Sequence, residues 1–218
     1  MPIIAPSILS ADFSILGAQV KAIEKETEWL HIDVMDGHYV PNITFGFPVV
    51  KSIRPKTKMF LDTHLMIANP EKFAEKFAQA GSNLVCFHPE AAESPLDIIK
   101  KIKATGCKAG LAVNNKVPAE KIFPFLPELD LALVMTIEAG FGGQGLIDVN
   151  LEKVRAIKAK IREEKLRCLV EVDGGVNAEN GKRVIEAGAD VLVMGSAVFG
   201  EGNPAKAIRE LKVKFGIK

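Results

Sequence analysis

The sequence predicts an α/β protein folded as a single (β/α)8 TIM barrel over residues 1–218, and three observations carry that reading. Short apolar runs alternate with stretches of 3.6-residue spacing about eight times along the chain. No strand-only or helix-only block breaks the alternation, so the strands form a parallel sheet covered by helices. No linker, low-complexity stretch or Pro/Gly/Ser-rich segment divides the chain, whose length lies near the lower end of the roughly 200 to more than 400 residues of such barrels. An open doubly wound sheet is the competing arrangement. Its dinucleotide-binding form is disfavoured because no GxGxxG follows the first apolar run.

The elements follow in order. Strands are expected at Ile3–Leu9, Trp29–Met35 and Met59–Met66, each an apolar run. Asn69-Pro70 reads as a helix N-cap with proline at the first helical position, and Ala80-Gly81 as a helix end. Further strands are expected at Leu84–His88, Lys108–Val113 and Leu131–Ile137. Leu151, Val154, Ile157 and Ile161 mark one face of a helix before the strand at Cys168–Asp173. Val184, Ile185 and Ala187 mark the next helix, which Gly188 ends, and Val191–Gly195 is the eighth strand. Asn203-Pro204 then opens the last helix.

Composition excludes several function classes. Twenty-eight Lys+Arg against 27 Asp+Glu leave a net charge of +1, with no bulk footprint for nucleic acid or an anionic membrane. The longest stretch without Asp, Glu, Lys or Arg, Gly37 to Val50, holds two prolines and falls short of a membrane span. Strand-like residues begin at Ile3, which leaves no room for a signal peptide. Cys86, Cys107 and Cys168 are odd in number and isolated, as expected of reduced thiols in a cytoplasmic protein.

In such a barrel alternate strand residues point inward, and chemistry gathers at the C-terminal mouth. Period two puts His31, Asp33 and Met35 on one face of the second strand, and Asp62, His64 and Met66 on one face of the third. On the seventh it aligns Glu171 with Asp173. Any one of these residues alone reads as an ordinary hydrogen-bonded core group. Together they bring imidazoles and carboxylates from three strands to one end, and burying them without a compensating ion is costly. Two imidazoles with two carboxylates suit one divalent ion such as Zn2+, Fe2+, Mn2+ or Co2+. On period alone, Met35, Met66 and Met135 read as adaptable core filler near strand ends.

Glycine forms a second constellation. Gly140-Phe141-Gly142-Gly143 follows the sixth strand, Gly174-Gly175 the seventh and Gly195-Ser196 the eighth. Singly these are tight turns; three in succession point to a phosphate held by bare backbone N–H groups. No lysine or arginine lies in these turns, so a cradle of amides is expected instead of a charge clamp. His38 and His88 are read as loop or supporting residues, and Cys86 as core.

The chain resembles the ribulose-phosphate 3-epimerase family across nearly its full length. The matching blocks are Ala5 to Phe13 (APSILSADF), His31 to Phe45 (HIDVMDGHYVPNITF), His64-Leu65-Met66 and Val134-Met135-Thr136. Gly140 to Gln144 (GFGGQ), Glu171 to Gly175 (EVDGG) and Gly195-Ser196 complete the set. The resemblance implies interconversion of D-ribulose 5-phosphate and D-xylulose 5-phosphate in the pentose phosphate pathway. It implies His31, Asp33, His64 and Asp173 as ligands of one divalent ion, and Asp33 and Asp173 as the acid–base pair. Ser7, His64 and Asp173 would contact substrate. Gly140, Phe141, Gly142, Gly143, Gly174, Gly175, Gly195 and Ser196 would hold its phosphate end, and Met35, Met66 and Met135 would shield the reacting face. Similar proteins occur as dimers and hexamers, so a homo-oligomer is expected. Two departures stand out: Glu138-Ala139 replaces the Asn-Pro that many members carry before the glycine run, and Asn114-Asn115-Lys116 lacks the Asn-Pro that often follows the fifth strand. Loss of proline is expected to loosen these turns. An epimerase of a six-carbon ketose phosphate, such as D-allulose 6-phosphate, is the nearest alternative. A non-catalytic barrel that serves as a binding partner is a more distant one. A related barrel decarboxylase is disfavoured, because Asp62-Thr63-His64 lacks the Asp-x-Lys pair typical of those enzymes.

Overall fold

The computed structural model describes residues 1–200 and 202–217. Its strands are β1 (Ile3–Pro6), β2 (Trp29–Met35), β3 (Phe60–Met66), β4 (Leu84–Phe87), β5 (Lys108–Val113), β6 (Leu131–Met135), β7 (Leu169–Asp173) and β8 (Val191–Met194). They form one parallel sheet in the order β1-β8-β7-β6-β5-β4-β3-β2. A parallel bridge between Ser7 and His31 brings the two ends of that order together as a ring. The helices are α1 (Leu16–Ile23), α2 (Phe47–Ile53), α3 (Ala74–Gln79), α4 (Pro95–Ala104), α5 (Leu151–Glu163), α6 (Gly181–Ala187), α7 (Ser196–Phe199) and α8 (Pro204–Phe215).

Strand alternation divides the apolar residues into two sets. Ile32, Val34, Leu65, Val85, Leu111, Val134, Val170, Val172 and Leu192 pack outward against the helices. Ala5, Met35, Met66, Cys86, Ala112, Leu133, Met135 and Val191 fill the inside of the ring. Both faces are buried, which is why these strands are rich in Val, Ile and Leu; the inner-face exceptions are the ionisable residues of β2, β3 and β7. Each fully buried side chain of this kind contributes about 1.5–3 kcal/mol. The predicted stripe Leu151, Val154, Ile157 and Ile161 is the buried face of α5.

Five predicted strand ends shift by one or two residues, and β1 shifts by three, with a local cause. The Ser7 hydroxyl accepts from the N–H of Leu9 at 3.2 Å, which turns Ile8–Ser10 into a short 3-10 helix. β6 stops at Met135 because Thr136 turns its N–H and hydroxyl onto the carbonyls of Asp173 and Gly174. Asn203 caps α8 as predicted, accepting from Lys206 N–H at 3.0 Å. Asn69 does not cap a helix: it sits at φ 58° and leads into a 3-10 turn at Pro70–Lys72. Proline disfavours the right-handed helical region for the residue before it, and asparagine tolerates the left-handed one. Between β5 and β6 the expected helix gives way to 3-10 turns at Ala119–Lys121 and Phe123–Glu128, where Pro118, Pro124 and Pro127 interrupt the chain. Among the described residues, no helix is long and apolar enough to cross a membrane.

Candidate active site

Register sets the site. β2 and β3 pair His31 with Asp62, Asp33 with His64 and Met35 with Met66, so two layers of ionisable groups lie under a layer of thioethers. β6 and β7 pair Leu133 with Glu171 and Met135 with Asp173, which adds two carboxylates and one methionine from the other side. His31, Asp62, His64 and Glu171 are completely shielded from water, Asp33 is 3% exposed and Asp173 9% exposed.

Four of these groups converge. His31 Nε2 lies 3.3 Å from Asp33 Oδ1 and 4.0 Å from Asp173 Oδ2, and His64 Nδ1 lies 3.5 Å and 3.4 Å from the same two atoms. Donors bound at about 2.0–2.2 Å to one tetrahedral ion stand roughly 3.3–3.6 Å apart; three of the four distances lie in that range and the fourth, at 4.0 Å, is slightly longer, so the set could hold a single cation. The nitrogens that face inward support the fit: His31 Nε2 and His64 Nδ1 have no hydrogen-bond partner. The far nitrogens are both engaged, His31 Nδ1 with Asp62 Oδ2 at 2.6 Å and His64 Nε2 with His88 Nε2 at 2.9 Å. Outer partners of this kind fix ring orientation and tautomer at metal sites.

The electrostatics call for positive charge at the same point. Burial disfavours the Asp33 carboxylate, yet His31 and His64 hold its carboxyl well below the usual range. Burial likewise opposes charge on His31, but the Asp33 and Asp62 carboxylates draw its pKa well up; Asp173 and Asp33 do the same for His64. Without a cation, protons on the imidazoles answer the two carboxylates. Glu171 goes the other way: burial, then the charge of Asp62, pushes it far above the carboxylate range. The Ser7 hydroxyl, just past the end of β1, donates to Asp33 Oδ2 at 2.5 Å and fixes that carboxylate.

Above this cluster opens a pocket lined by Ser7, Asp33, Met35, Met66, Met135, Asp173 and all three glycine turns. Every predicted glycine, with Phe141 and Ser196, lies on its wall. His31 and His64 do not line it; they sit behind the two aspartates. Ser10, Ile137, Gln144 and Asn177 also line the pocket and escaped the sequence reading. Ser10 and Gln144 fall inside the blocks that carry the family resemblance and Ile137 at the end of an expected strand, but nothing in their spacing marks them as pocket residues; Ser10 closes the 3-10 helix Ile8–Ser10. Asp62 and His88 were legible as neighbours of the site but not as partners of its imidazoles. His38 is exposed, with its ring 81% accessible, and takes no part in the cluster. Cys86 is core, as read.

The two departures from the family pattern meet each other. Asn115 Nδ2 donates to Glu138 Oε2 at 2.6 Å and Lys116 Nζ to Oε1 at 3.0 Å, so polar contacts between two loops stand where prolines were expected.

A TIM barrel with a buried His2Asp2 cluster that could hold a cation, beneath a glycine-lined mouth, defines a class of barrel whose polar groups converge at the C-terminal ends of its strands. Residues 3–199 match the model of the ribulose-phosphate 3-epimerase family, and the chain belongs to that family. It is 46% identical over 215 residues to a ribulose-phosphate 3-epimerase of Mycobacterium tuberculosis (strain ATCC 25618 / H37Rv), covering 99% of this chain and 93% of that one. A ribulose-phosphate 3-epimerase of Bacillus subtilis (strain 168) is 47% identical over 211 residues, covering 96% and 97%. Among solved structures, KGPDC from Streptococcus mutans superposes with a TM-score of 0.74 at 15% identity, over 99% of this chain and 97% of that one. At that identity the likeness speaks for the barrel alone.

Proposed function

We propose that this chain epimerises D-ribulose 5-phosphate at C3 to D-xylulose 5-phosphate by a two-base proton transfer between Asp33 and Asp173. The observation that carries the reading is the convergence of these carboxylates, from β2 and β7, on one pocket floor beside two imidazole nitrogens without partners. Inversion at C3 needs a proton taken from one face and returned to the other, and one carboxylate does not reach both. The ionised aspartate takes the C3 proton as its own O–H, and the C–H electron pair moves toward C2 to give an enediolate. The protonated aspartate gives its proton to the opposite face of C3, so the two exchange states in each turnover. Ser7 holds Asp33 in place for this step. His31, Asp33, His64 and Asp173 would hold a divalent ion, and Zn2+, Fe2+, Mn2+ or Co2+, each suited to the donor set, would supply Lewis-acid polarisation of the ketone. Met35, Met66 and Met135 border the pocket and carry no exchangeable proton, which protects the enediolate from quenching. The turns Gly140–Gly143, Gly174-Gly175 and Gly195-Ser196 present N–H groups to the phosphate, with Phe141 beside them. Phe13, Ile43 and Phe47 stay exposed, which supports a homo-oligomer, dimer or hexamer, and the buried free thiols suit a cytoplasmic setting.

The test is proton exchange. Incubation with D-ribulose 5-phosphate in D2O, followed by NMR, should place deuterium at C3 together with D-xylulose 5-phosphate, and chelation should stop both. Faster turnover of D-allulose 6-phosphate under the same conditions would replace the pentulose substrate with the hexulose one. Silence on both sugars from metal-loaded protein would overturn the reading.

A further inference from the structure

Against His64, on the side away from the aspartates, stands another buried imidazole. His88, 1% exposed, directs Nε2 at Nε2 of His64 across 2.9 Å. When two imidazoles meet nitrogen to nitrogen, one must offer N–H and the other a lone pair. His64 Nδ1 is the atom turned toward Asp33 and Asp173. A cation there requires Nδ1 bare, and hence the ring proton of His64 on Nε2. His88 must then accept with Nε2 and carry its own proton on Nδ1. That Nδ1 makes no hydrogen bond in this structure; the group facing it is the carboxylate of Glu90, with Oε1 3.5 Å away. Glu90 also receives the Tyr39 hydroxyl at 2.8 Å, and Tyr39 receives Asn114 Nδ2 at 3.0 Å, so Glu90 is fixed from outside. An ionised carboxylate only accepts, and it therefore favours the Nδ1–H form of His88. The opposite arrangement would set the lone pair of His88 against a carboxylate and a proton of His64 where the cation belongs.

We propose that His88 and Glu90 are positioning residues: a relay that holds the metal ligand His64 protonated at Nε2 and bare at Nδ1. The inference rests on the metal reading given above. The two ligand imidazoles are then governed in different ways. His31 has its carboxylate, Asp62, in direct contact at 2.6 Å, whereas His64 has its carboxylate one ring further out, near the barrel mouth.

The experiment uses the full-length protein and two probe ions. In Zn2+-loaded protein with 15N-labelled histidine, long-range 1H–15N spectra should show His88 protonated at Nδ1, with Nε2 an acceptor. Co2+ affinity, read by chelator competition, should fall roughly 10–100-fold in His88→Leu, the loss typical when an outer partner of a ligand is removed. His88→Gln, whose amide oxygen can accept from His64, should recover most of that loss. Glu90→Leu should lie between His88→Leu and wild type, because its contact is the longer one. The visible spectrum of bound Co2+ should shift in His88→Leu and return in His88→Gln. A His88 proton found on Nε2, or Co2+ binding by His88→Leu within twofold of wild type, overturns the relay alone. Wild-type protein that takes up neither ion overturns the metal reading and the relay with it. Should His88→Leu not fold, the NMR assignment and the Glu90→Leu affinity decide the matter in the same directions.

Discussion

Two glycines in the pocket wall separate backbone conformation from space. Gly143 and Gly175 have nearly the same left-handed backbone, φ 77° and φ 70°. A Cβ on Gly143 would meet nothing within 4 Å. On Gly175 it would stand 2.5 Å from Leu146 N and 2.9 Å from Gln144 O and Leu146 Cα, all of them backbone atoms. The left-handed region costs an alanine about 1–2 kcal/mol. The stiffer unfolded chain returns about 0.4–1 kcal/mol, so Gly143→Ala should lose roughly 0–1.5 kcal/mol. For a chain of this size each kcal/mol shifts the melting temperature by about 2–4 °C, and Gly143→Ala should melt within about 5 °C of wild type. Gly175→Ala carries the same conformational cost plus about 1–3 kcal/mol of overpacking, and should melt roughly 2–12 °C below Gly143→Ala. Its KM should also rise by about tenfold or more, because the 144–146 segment must move outward by nearly 1 Å. Thermal melts and initial rates on both variants are the assay. Equal melting temperatures and equal KM values would refute the claim that this turn is closed by backbone contact.

Three more outcomes are expected. Asp173→Asn should lower kcat by about 10²–10⁴-fold or more through loss of proton transfer. Its fold should hold, because the Asp173 backbone carbonyl keeps its 2.8 Å bond from Thr136 N–H; turnover within tenfold of wild type would remove the two-base mechanism. Glu24 is drawn from 4.5 down to about 2 by Lys21 first, then by the N–H of Lys58 and the hydroxyl of Thr57. Its folded pKa is the lower one, so its stabilisation is complete above pH 4.5 and disappears as pH falls toward 2. Glu24→Gln should therefore melt below wild type at neutral pH, with the gap closing on acidification. Burial, with smaller contributions from nearby carboxylates, pushes Cys107 and Cys168 up to about 12 and Cys86 well above the normal thiol range. Native protein should leave all three thiols unlabelled by a disulfide reagent at pH 8 and yield them on unfolding; labelling of the native state would show the helix layer to be looser than described.

The barrel was legible because its signal is periodic and repeated. Eight apolar runs name eight strands, and period two sorts His31, Asp33 and Met35 from Ile32 and Val34 without further knowledge. The cluster was legible for the same reason, since strand parity aims its members inward. What the sequence hides is pairing across strands. Nothing between residues 31 and 62 announces a 2.6 Å contact, because it depends on the stagger of β2 against β3. His88 reads as a turn residue until the closed ring puts it against His64. The 3-10 turns between β5 and β6 have a local cause in Pro118, Pro124 and Pro127, which the strand–helix rhythm of the whole chain does not register. Asn69 shows the reverse error, a local rule applied where the proline after it imposes another.

The ring is not equally strong all the way round. β2 and β3 are laced together over seven residue pairs, while the first two strands meet at the single bridge between Ser7 and His31. That thinnest join runs directly beside the floor of the pocket, and the residue that closes it is the one whose hydroxyl grips Asp33. Breathing at the seam, a local event that leaves the other seven joins intact, releases the carboxylate at once. On warming, turnover should therefore fade before ellipticity does, and amide exchange at Ser7 and its neighbours should keep time with it. In this molecule one residue, Ser7, both closes the barrel and holds the carboxylate proposed as a base.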